Sequence, residues 1–458
     1  MTTHTTPGNP RAVRLFALAL AAGATVIPAT GLAQTSDSGA ATFTKDVAPI
    51  FQRSCQNCHR PGSIGPMSLL TYEDARPWAR SIRGKVVARA MPPWHVDKTV
   101  GIQKFKGDIS LTDQEIATIV SWADGGAPKG NPADMPAPKH FDDGEAWQFG
   151  TPDVIVQLPT EYVVKAQGPD AWREFVVPTG LTENRYYRAV QTIPGARRAV
   201  HHMSSVIVQS LTPEELLPGM EDNLEGGSTV EDLKSGAPVE MYLSSYEVGK
   251  NGDVMPEGTG RLLKAGSFIK FEVHYSSVGE ELRDRSRIGI WLYPKGYVPK
   301  YHQITKGIGN PRSSLDIPAG ATVRVDGYQR LNRPVRISAV QAHMHQRGKR
   351  MCMEAILPNG SIEQLNCFNF NFAWQKLYVY EDNVAPLLPA GTLVHVIGWY
   401  DNSSANRDNP DPRNWVGSGS RSNDEMFFAR TTWTYLEDED FKRMVAEREG
   451  AAKIKTGN

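Results

Sequence analysis

The 458-residue chain has little cysteine, no excess of either charge and, beyond its N-terminus, no long apolar run. Lys and Arg together number 50, as do Asp and Glu, so the charge gives no reason to expect a nucleic-acid or membrane-surface binder. No later segment is long and apolar enough to span a membrane, so no span is expected in the mature chain. The length indicates roughly two to four domains. The four cysteines form two distant pairs, and each pair needs its own explanation.

The N-terminal segment has the features of a secretory signal peptide. Arg11 and Arg14 supply a positive region, residues 15–27 are apolar and Ala-rich, and small residues precede a cleavage point after Ala33. The apolar stretch is too short, and too broken by glycine and proline, to span a membrane comfortably. We therefore expect residues 1–33 to be removed and the mature protein to be periplasmic or secreted.

The periodicity of apolar residues changes once along the rest of the chain. Residues 44–126 look helical, and their clearest helix, at 112–123, starts with a capping box formed by Thr112 and Glu115. From about residue 148 onward, alternating apolar and polar residues predict strands.

The predicted fold is a small all-α domain followed by two all-β, antiparallel, jelly-roll-like sandwiches. A Pro/Gly-rich run without periodicity separates the two parts and reads as a linker. The predicted boundaries are 44–126 for the all-α domain, 127–147 for the linker, 148–300 and 301–437 for the sandwiches, and 438–458 for a charged tail.

The first cysteine pair belongs to a Cys-x-x-Cys-His sequence made of Cys55, Cys58 and His59. This is the attachment motif of haem c, because each thiol can reach one vinyl group and the next residue can place an imidazole on the iron. A redox dithiol would need a thioredoxin-like context, and a zinc site would need a second cysteine pair close by; neither is present. We predict one covalent haem c with His59 as the proximal ligand.

The second axial ligand of the haem is predicted to be Met91, which opens a Met-Pro-Pro-Trp sequence. A thioether opposite a histidine favours ferrous iron and raises the reduction potential. Met67 and His95 are the competing candidates. With its attachment motif and helices, the segment 44–126 resembles a class I cytochrome c domain.

Three histidine motifs and one methionine motif lie in the β region. They are His201-His202-Met203, Val273-His274-Tyr275, His343-Met344-His345 and Asp424-Glu425-Met426. Residues two apart on a strand point to the same face, so His343 and His345 can bind one metal ion. Met426 can add a thioether, and a soft sulfur ligand selects Cu(I).

The other three histidines can form a second metal site only under one condition. His201 and His202 are adjacent, so they can share a metal only if their strand kinks or ends there. His274 lies on the polar face of its strand and is available as the third ligand. The absence of cysteine near these motifs argues against a blue-copper site, and the absence of a carboxylate at facial-triad spacing weakens a non-haem iron site.

The ordered set H-H-M, V-H-Y, H-x-H and D-E-M resembles the copper type II, ascorbate-dependent monooxygenases, which include peptidylglycine α-hydroxylating monooxygenase and dopamine β-monooxygenase. The resemblance covers roughly residues 150–437 and implies two β-sandwich domains. It also implies one copper that stores and passes an electron and another that binds dioxygen and hydroxylates a C–H bond, across a solvent-filled gap. The implied ligands are His201, His202 and His274 for the first copper, and His343, His345 and Met426 for the second.

The chain departs from the peptide-amidating members of that family near these ligands. They have an arginine that anchors the substrate carboxylate two residues before the H-x-H pair, where this chain has Gln341. They have Asn and Tyr two and four residues after the copper-binding methionine, where this chain has Phe428 and Arg430. Glu272 replaces a glutamine two residues before the histidine of V-H-Y. The metal ligands are kept, so hydroxylation is still expected. A peptide is no longer the expected substrate.

The second cysteine pair lies symmetrically about a predicted hairpin turn. Cys352 and Cys367 are equally far from Asn359-Gly360, so the hairpin places them opposite each other, within reach of a disulfide. A structural disulfide is the default in an oxidising compartment. A strict two-residue loop would make the two a hydrogen-bonded pair, so a small change of register is expected.

The leading hypothesis is an oxidoreductase that hydroxylates a C–H bond of an organic substrate with dioxygen, using two copper ions. Haem c would supply electrons in place of, or alongside, ascorbate, and an external reductant or redox protein would supply the haem. One alternative is an electron-transfer or copper-binding protein without monooxygenase turnover. Another is a copper oxidase that does not oxygenate its substrate. Oxygen uptake that depends on added substrate separates these functions.

Overall fold

The computed structural model describes residues 41–141, 146–212, 215, 230–247, 250, 252–309, 315–419 and 421–456. The predicted signal peptide, residues 1–33, lies outside the described residues. Contacts join residues 40–458 into one unit. None of the helices in the described part of the chain is long and apolar enough to cross a membrane.

Short helices form the N-terminal part of this unit. They are a π-helical turn at Phe43–Val47, α1 (Ala48–Ser54), α2 (Tyr72–Ala75), a 3₁₀ turn at Arg76–Trp78, α3 (Ala79–Val87) and α4 (Asp113–Asp124). The predicted capping box opens α4: the Thr112 hydroxyl accepts the Glu115 N–H at 3.2 Å, and the Glu115 carboxylate accepts the Thr112 N–H at 2.8 Å. The helices share a core that includes Phe43, Phe51 and Trp122.

The segment 44–126 is not all helical, which corrects the prediction of an all-α domain. Strand β1 (Val96–Gly101) lies between α3 and α4 and pairs antiparallel with a strand near residue 368. Its flanking residues Trp94 and Phe105 are buried in the core of the C-terminal sheets rather than in the helical core. The segment therefore packs against the C-terminal sheets and not against the helices.

The predicted linker packs along the helices. The carbonyl of Pro128 accepts hydrogen bonds from the Phe43 N–H at 3.0 Å and from the Trp122 indole at 3.1 Å. Gln52 donates to the carbonyl of Ala137 at 2.9 Å. The start of this segment is therefore fixed against the helical part, while the domain boundaries stay predictions.

The middle of the chain is a series of short strands. They are β2 (Val154–Gln157), β3 (Tyr162–Val164), β4 (Ala171–Pro178), β5 (Arg185–Ile193), β6 (Val200–Ser210), β7 (Pro238–Glu247), β8 (Asp253–Val254), β9 (Thr259–Leu263), β10 (Phe268–Tyr275), β11 (Leu282–Asp284) and β12 (Arg287–Leu292), with helix α5 (Val230–Ser235) before β7. In β10 the alternation seen in the sequence matches the burial, because Ile269, Phe271 and Val273 are fully buried.

The C-terminal part is also built of strands. They are β13 (Tyr301–Gly309), β14 (Thr322–Arg330), β15 (Val335–His343), β16 (Gly348–Ile356), β17 (Ile362–Asn369), β18 (Tyr378–Val379), β19 (Leu387–Leu388), β20 (Leu393–Asp401) and β21 (Phe428–Tyr435), followed by helix α6 (Asp438–Thr456). The charged tail is therefore helical over most of its length.

The strands assemble into sandwich-like antiparallel sheets, as predicted. A four-stranded sheet has the order β4-β10-β6-β7, a five-stranded sheet has the order β1-β17-β16-β20-β14, and a ten-stranded sheet contains β18-β15-β21-β13-β9-β5-β12-β2. One core cluster lies among the middle strands and another among the C-terminal strands. The ten-stranded sheet is continuous across the predicted boundary at residue 300, where Tyr301 pairs in parallel with Thr259.

The predicted disulfide is present between Cys352 and Cys367, with a Cα–Cα distance of 4.0 Å. The two cysteines are direct cross-strand partners on β16 and β17. The register shifts between Met353 and Glu354, the next residues toward the turn, so the small change of register expected from the sequence is also present.

Replacement of both cysteines by alanine should lower the free energy of unfolding by about 3 kcal/mol, the loop-closure value for a closed loop of this size. The urea midpoint should fall while the dependence on denaturant stays close to that of the wild type. The wild type unfolded in a thiol reductant is the matched control and should reproduce the loss. Identical midpoints for the variant and the oxidised wild type would contradict a stabilising role.

Candidate metal centres

Three histidines meet where strands β6 and β10 pair. His202 on β6 is the direct partner of His274 on β10. The register then shifts, because the next residue of β10, Tyr275, pairs with Val200, so His201 is the extra residue of a β-bulge. The kink that adjacent histidines need in order to share a metal is therefore present. We call His201, His202 and His274 the histidine trio.

The ring nitrogens of the trio converge on one point. His201 Nδ1 lies 3.0 Å from His202 Nδ1, and His274 Nδ1 lies 3.5 Å from the same atom. One nitrogen from each of the three rings lies within 4.8 Å of the other two. Burial is the largest cause that lowers the pKa of His202 to about 3, and the neighbouring His274 and His201 also lower it. Burial also lowers the pKa of His201 and of His274. Neutral rings keep their lone pairs, so the trio can hold a metal ion.

Two further residues orient the trio, and the sequence alone did not indicate either of them. The Asp170 carboxylate lies 2.8 Å from His274 Nε2, which leaves the Nδ1 side of that ring facing His202. Trp172 stacks on His274 with ring centroids 4.4 Å apart and an interplanar angle of 3°. Asp170 immediately precedes β4, the strand beside β10, and Trp172 is the second residue of β4. The pairing of β4 with β10 brings both side chains to the trio.

A second pair of histidines lies at the end of β15. His343 is the last residue of that strand, and the ring centroid of His345 lies 5.5 Å from that of His343. The Nδ1–H of His345 donates to the Asp424 carbonyl at 2.9 Å, and the backbone of Arg421 also forms a hydrogen bond with the ring. Burial lowers the pKa of both rings. We call His343 and His345 the histidine pair.

Met426 lies on the chain segment that contacts both members of the pair. Asp424, two residues before it, binds His345, and Phe428, two residues after it, stacks on His343 at 4.4 Å. The Met426 carbonyl accepts a hydrogen bond from the Tyr400 hydroxyl at 2.5 Å. Met426 is half-buried, and residues on both sides of it in sequence contact the pair.

Glu425 is a buried carboxylate that fixes the turn after β15. Its two oxygens accept the backbone N–H groups of His345 at 2.8 Å and Arg347 at 2.7 Å. Burial raises the pKa of Glu425 to about 7. This residue ties the segment of Met426 to the segment of the histidine pair, a role that the sequence did not indicate.

Two of the residues in which this chain departs from the peptide-amidating enzymes, Gln341 and Arg430, contact each other. Gln341 on β15 and Arg430 on β21 are direct cross-strand partners. The Arg430 guanidinium donates to the Gln341 side-chain oxygen at 2.9 Å, and the Gln341 amide donates to the carbonyl of Gln375 at 2.5 Å. These two departures are therefore a matched pair of substitutions on neighbouring strands.

One loop, residues 371–376, contacts both groups of histidines, and we call it the bridging loop. Trp374 lies 5.7 Å from His201, measured between ring centroids. Phe372 lies 5.9 Å from His345 in the same measure. The trio and the pair, which belong to different sheets, therefore share an aromatic boundary.

The Cys-x-x-Cys-His segment begins at the C-terminal end of α1. Cys55 and Cys58 are unbridged and half-buried, and burial raises the pKa of the Cys55 thiol to about 12. His59 Nδ1 lies 3.2 Å from the Met67 carbonyl, to which it donates, so Nε2 is the ring nitrogen that could bind iron. A side chain at Gly65 would come within 2.7 Å of His59 Nδ1, so only glycine fits beside the ring.

The two methionines considered as haem ligands lie in different surroundings. Met67 packs against the core of the helical part. Met91 is half-buried beyond the end of α3, and its N–H donates to the Lys85 carbonyl at 3.3 Å. No hydrogen bond or ring contact among the described residues joins either side chain to His59.

Comparisons with known proteins leave the family of this chain open. No family model and no curated protein matches it. Solved structures with some likeness include the clostridial cysteine protease Cwp84, with 10% identity, a TM-score of 0.21, and coverage of 55% of this chain and 72% of the protease. Another is the infectious bursal disease virus Gx strain, with 10% identity, a TM-score of 0.17, and coverage of 63% and 72%. Likeness this low supports neither a shared fold nor a shared function, so function must be argued from the sites.

Proposed function

We propose that this protein is a copper-dependent monooxygenase that inserts one atom of dioxygen into a C–H bond of an organic substrate. Electrons arrive through a covalently attached haem c, with ascorbate as an alternative or additional reductant. The observation that carries the proposal is the convergence of the three ring nitrogens of the trio, within 4.8 Å of one another. The protein acts outside the cytoplasm, in the periplasm or after secretion.

The donor atoms of the trio and the pair fit copper. The trio offers three neutral imidazole nitrogens, a ligand type that suits copper and zinc. The pair offers two more imidazoles beside Met426, whose thioether favours Cu(I) over harder ions. When bound, copper supplies one-electron storage at the trio and activation of dioxygen at the pair.

The Cys-x-x-Cys-His segment fits haem c. Both thiols are free to form thioether bonds, and the His59 ring is held by its Nδ1–H so that Nε2 can bind iron. Gly65 leaves the space beside the ring that a larger residue would fill. Cys55, Cys58 and His59 would hold the haem, which supplies incoming electrons one at a time.

The chain's own residues keep these groups in place. Asp170 fixes the orientation of His274, and Trp172 covers one face of that ring. Glu425 fixes the backbone of His345, and Phe428 covers the His343 ring. In the bridging loop, Trp374 packs beside the trio and Phe372 beside the pair.

A metal and haem assay tests the proposal. Purified protein should contain about two coppers and one haem that survives acid-acetone extraction. Replacement of Cys58 by alanine should reduce haem retention without changing the copper content. Haem that extracts freely from the wild type, or full activity with stoichiometric zinc or iron, would refute the proposal. Copper binding without substrate-dependent oxygen uptake would favour an electron-transfer or copper-binding protein, or an oxidase.

Peptides with a C-terminal glycine should be poor substrates. The arginine that binds the carboxylate of such peptides in the amidating enzymes is replaced by Gln341, and the side-chain oxygen of Gln341 already accepts a hydrogen bond from Arg430. Product formation from a glycine-extended peptide, followed by mass spectrometry beside a peptide-amidating enzyme as the positive control, should stay near background. Efficient conversion would contradict this prediction.

A further inference from the structure

Arg261 is a buried arginine without a carboxylate beside it. It is the middle residue of β9 and is only 6% exposed. Among the residues that the structure describes, its guanidinium forms no ion pair, and its buried Nε donates no hydrogen bond. The Tyr187 ring, whose centre lies 6.0 Å from the guanidinium carbon, is at the outer limit of a cation–π contact. Because the arginine side chain stays charged, Arg261 carries a buried positive charge that the described residues do not neutralise.

The side chain of Arg261 lines a cavity between strands of the ten-stranded sheet and β7. The volume of this cavity is about 60 Å³, and Thr305 on β13 and Tyr242 on β7 also line it. The Thr305 hydroxyl is buried too, and no hydrogen bond reaches it from the described part of the chain. Val254 and Lys106 line the cavity and are exposed, so a solute can enter on their side. The cavity therefore brings together two buried polar groups that lack partners.

The two carboxylates that line the cavity already have cationic partners. Asp253 accepts a hydrogen bond from the Lys250 ammonium at 2.9 Å. Asp382 forms an ion pair of 2.9 Å with Lys106, which lines the cavity as well. Each negative charge is thus matched by a lysine, and the charge of Arg261 is in excess. The cavity therefore favours a negatively charged occupant.

The size of the cavity limits the occupant to a small anion. One water-sized group needs about 10–15 Å³ of such volume, so the cavity has room for roughly four to six groups of that size. Bicarbonate, acetate and phosphate are anions of this size. A guanidinium binds a carboxylate or a phosphate through two parallel hydrogen bonds, and the Thr305 hydroxyl can donate one more. Water alone would complete the hydrogen bonds but would leave the buried charge without a counterion.

We propose that this cavity is a binding site for a small oxyanion, which the guanidinium of Arg261 and the hydroxyl of Thr305 hold. No member of the trio or the pair lines the cavity, so the inference does not rest on the proposed copper and haem chemistry. Arg261 on β9 precedes the predicted domain boundary at residue 300, and Thr305 on β13 follows it. The anion therefore joins strands from both sides of that boundary.

Calorimetric titration of the purified protein, dialysed free of small anions into a zwitterionic buffer, tests the proposal. Acetate, bicarbonate and phosphate are the probes, and the anion that binds best shows whether the ligand is planar or tetrahedral. Arg261→Met should weaken its binding at least about 10-fold, because the variant lacks the charged hydrogen-bond donors. Arg330→Met, which changes an exposed arginine on β14, is the matched control and should bind like the wild type. Absence of binding for all three anions, or unchanged binding in Arg261→Met, would overturn the proposal.

Thermal unfolding and a second variant guard against a loss of binding through misfolding. Without the anions, Arg261→Met should unfold at or above the temperature of the wild type, because it replaces a buried charge that lacks a counterion by an uncharged side chain. The best-binding anion should raise the unfolding temperature of the wild type and not that of this variant. An Arg261→Met protein that is clearly less stable in anion-free buffer would show that the arginine has its partners within the chain, which contradicts the proposal. Thr305→Val should weaken binding about 5-fold through the loss of one hydroxyl, and an unchanged affinity would also contradict it.

Discussion

Replacing His343 or Met426 by alanine should abolish substrate-dependent oxygen uptake, with a loss of more than about 100-fold, since loss of even an indirect partner of a metal ligand costs about 10–100-fold. Each change removes a donor atom from the site at the end of β15, while the trio lies on β6 and β10 and keeps all three of its nitrogens. An oxygen electrode measures the activity, and copper analysis should show that about one copper remains per protein.

His302→Ala is the matched control for these variants. His302 is a half-buried histidine on β13, and its ring lies 5.6 Å from that of Tyr186, in contact with neither group of histidines among the described contacts. Its removal should leave oxygen uptake and copper content close to the wild type. Retained turnover in His343→Ala, or loss of both coppers together, would show that the pair is not an independent site.

Removal of His274 should slow oxidation of the haem. Prereduced wild-type protein should show haem oxidation in stopped-flow absorbance on mixing with oxygen and substrate, and His274→Ala should slow it more than about 10-fold. The variant loses one of three converging nitrogens, the one that Asp170 orients. In the proposed enzyme, haem and copper would share one chain, which would raise the effective concentration of the electron donor at its acceptor.

The control for this experiment is wild-type protein stripped of copper. Its haem should be oxidised as slowly as that of His274→Ala, and restored copper should restore the fast phase only in the wild type. Oxidation at the wild-type rate in the stripped protein would mean that the haem does not feed the coppers. A small reductant would then be the direct source of electrons.

Features that depend on nearby residues could be read from the sequence. The helix at α4 followed from its capping box, and the strand at β10 followed from its alternation. The disulfide followed from the symmetry of two cysteines about a turn. Adjacent histidines can share a metal only if their strand kinks, and a β-bulge is found at His201 and His202. In each case the physical cause lies within a few residues of the chain or across one hairpin.

Features that depend on contacts between distant segments could not be read in this way. Asp170 reaches His274 across a strand pairing, and the bridging loop meets the trio and the pair only through the packing of separate sheets. Strand β1 lies within the segment 44–126, which is predicted to be helical, and its sequence lacks a clear alternation. Its partner, β17, lies more than two hundred residues away in the chain, and no local pattern identifies it.

The pairing of β1 with β17 makes the C-terminal sheet dependent on the N-terminal part of the chain. Expression of the region from residue 148 onward would leave the outer side of β17 without its neighbour, with backbone donors and acceptors facing solvent beside apolar side chains such as Phe368 and Tyr378. An unpaired, partly apolar edge is a template for strand exchange between copies and for aggregation. The region that carries the six proposed copper ligands, five histidines and one methionine, is therefore unsuited to isolation as a free fragment.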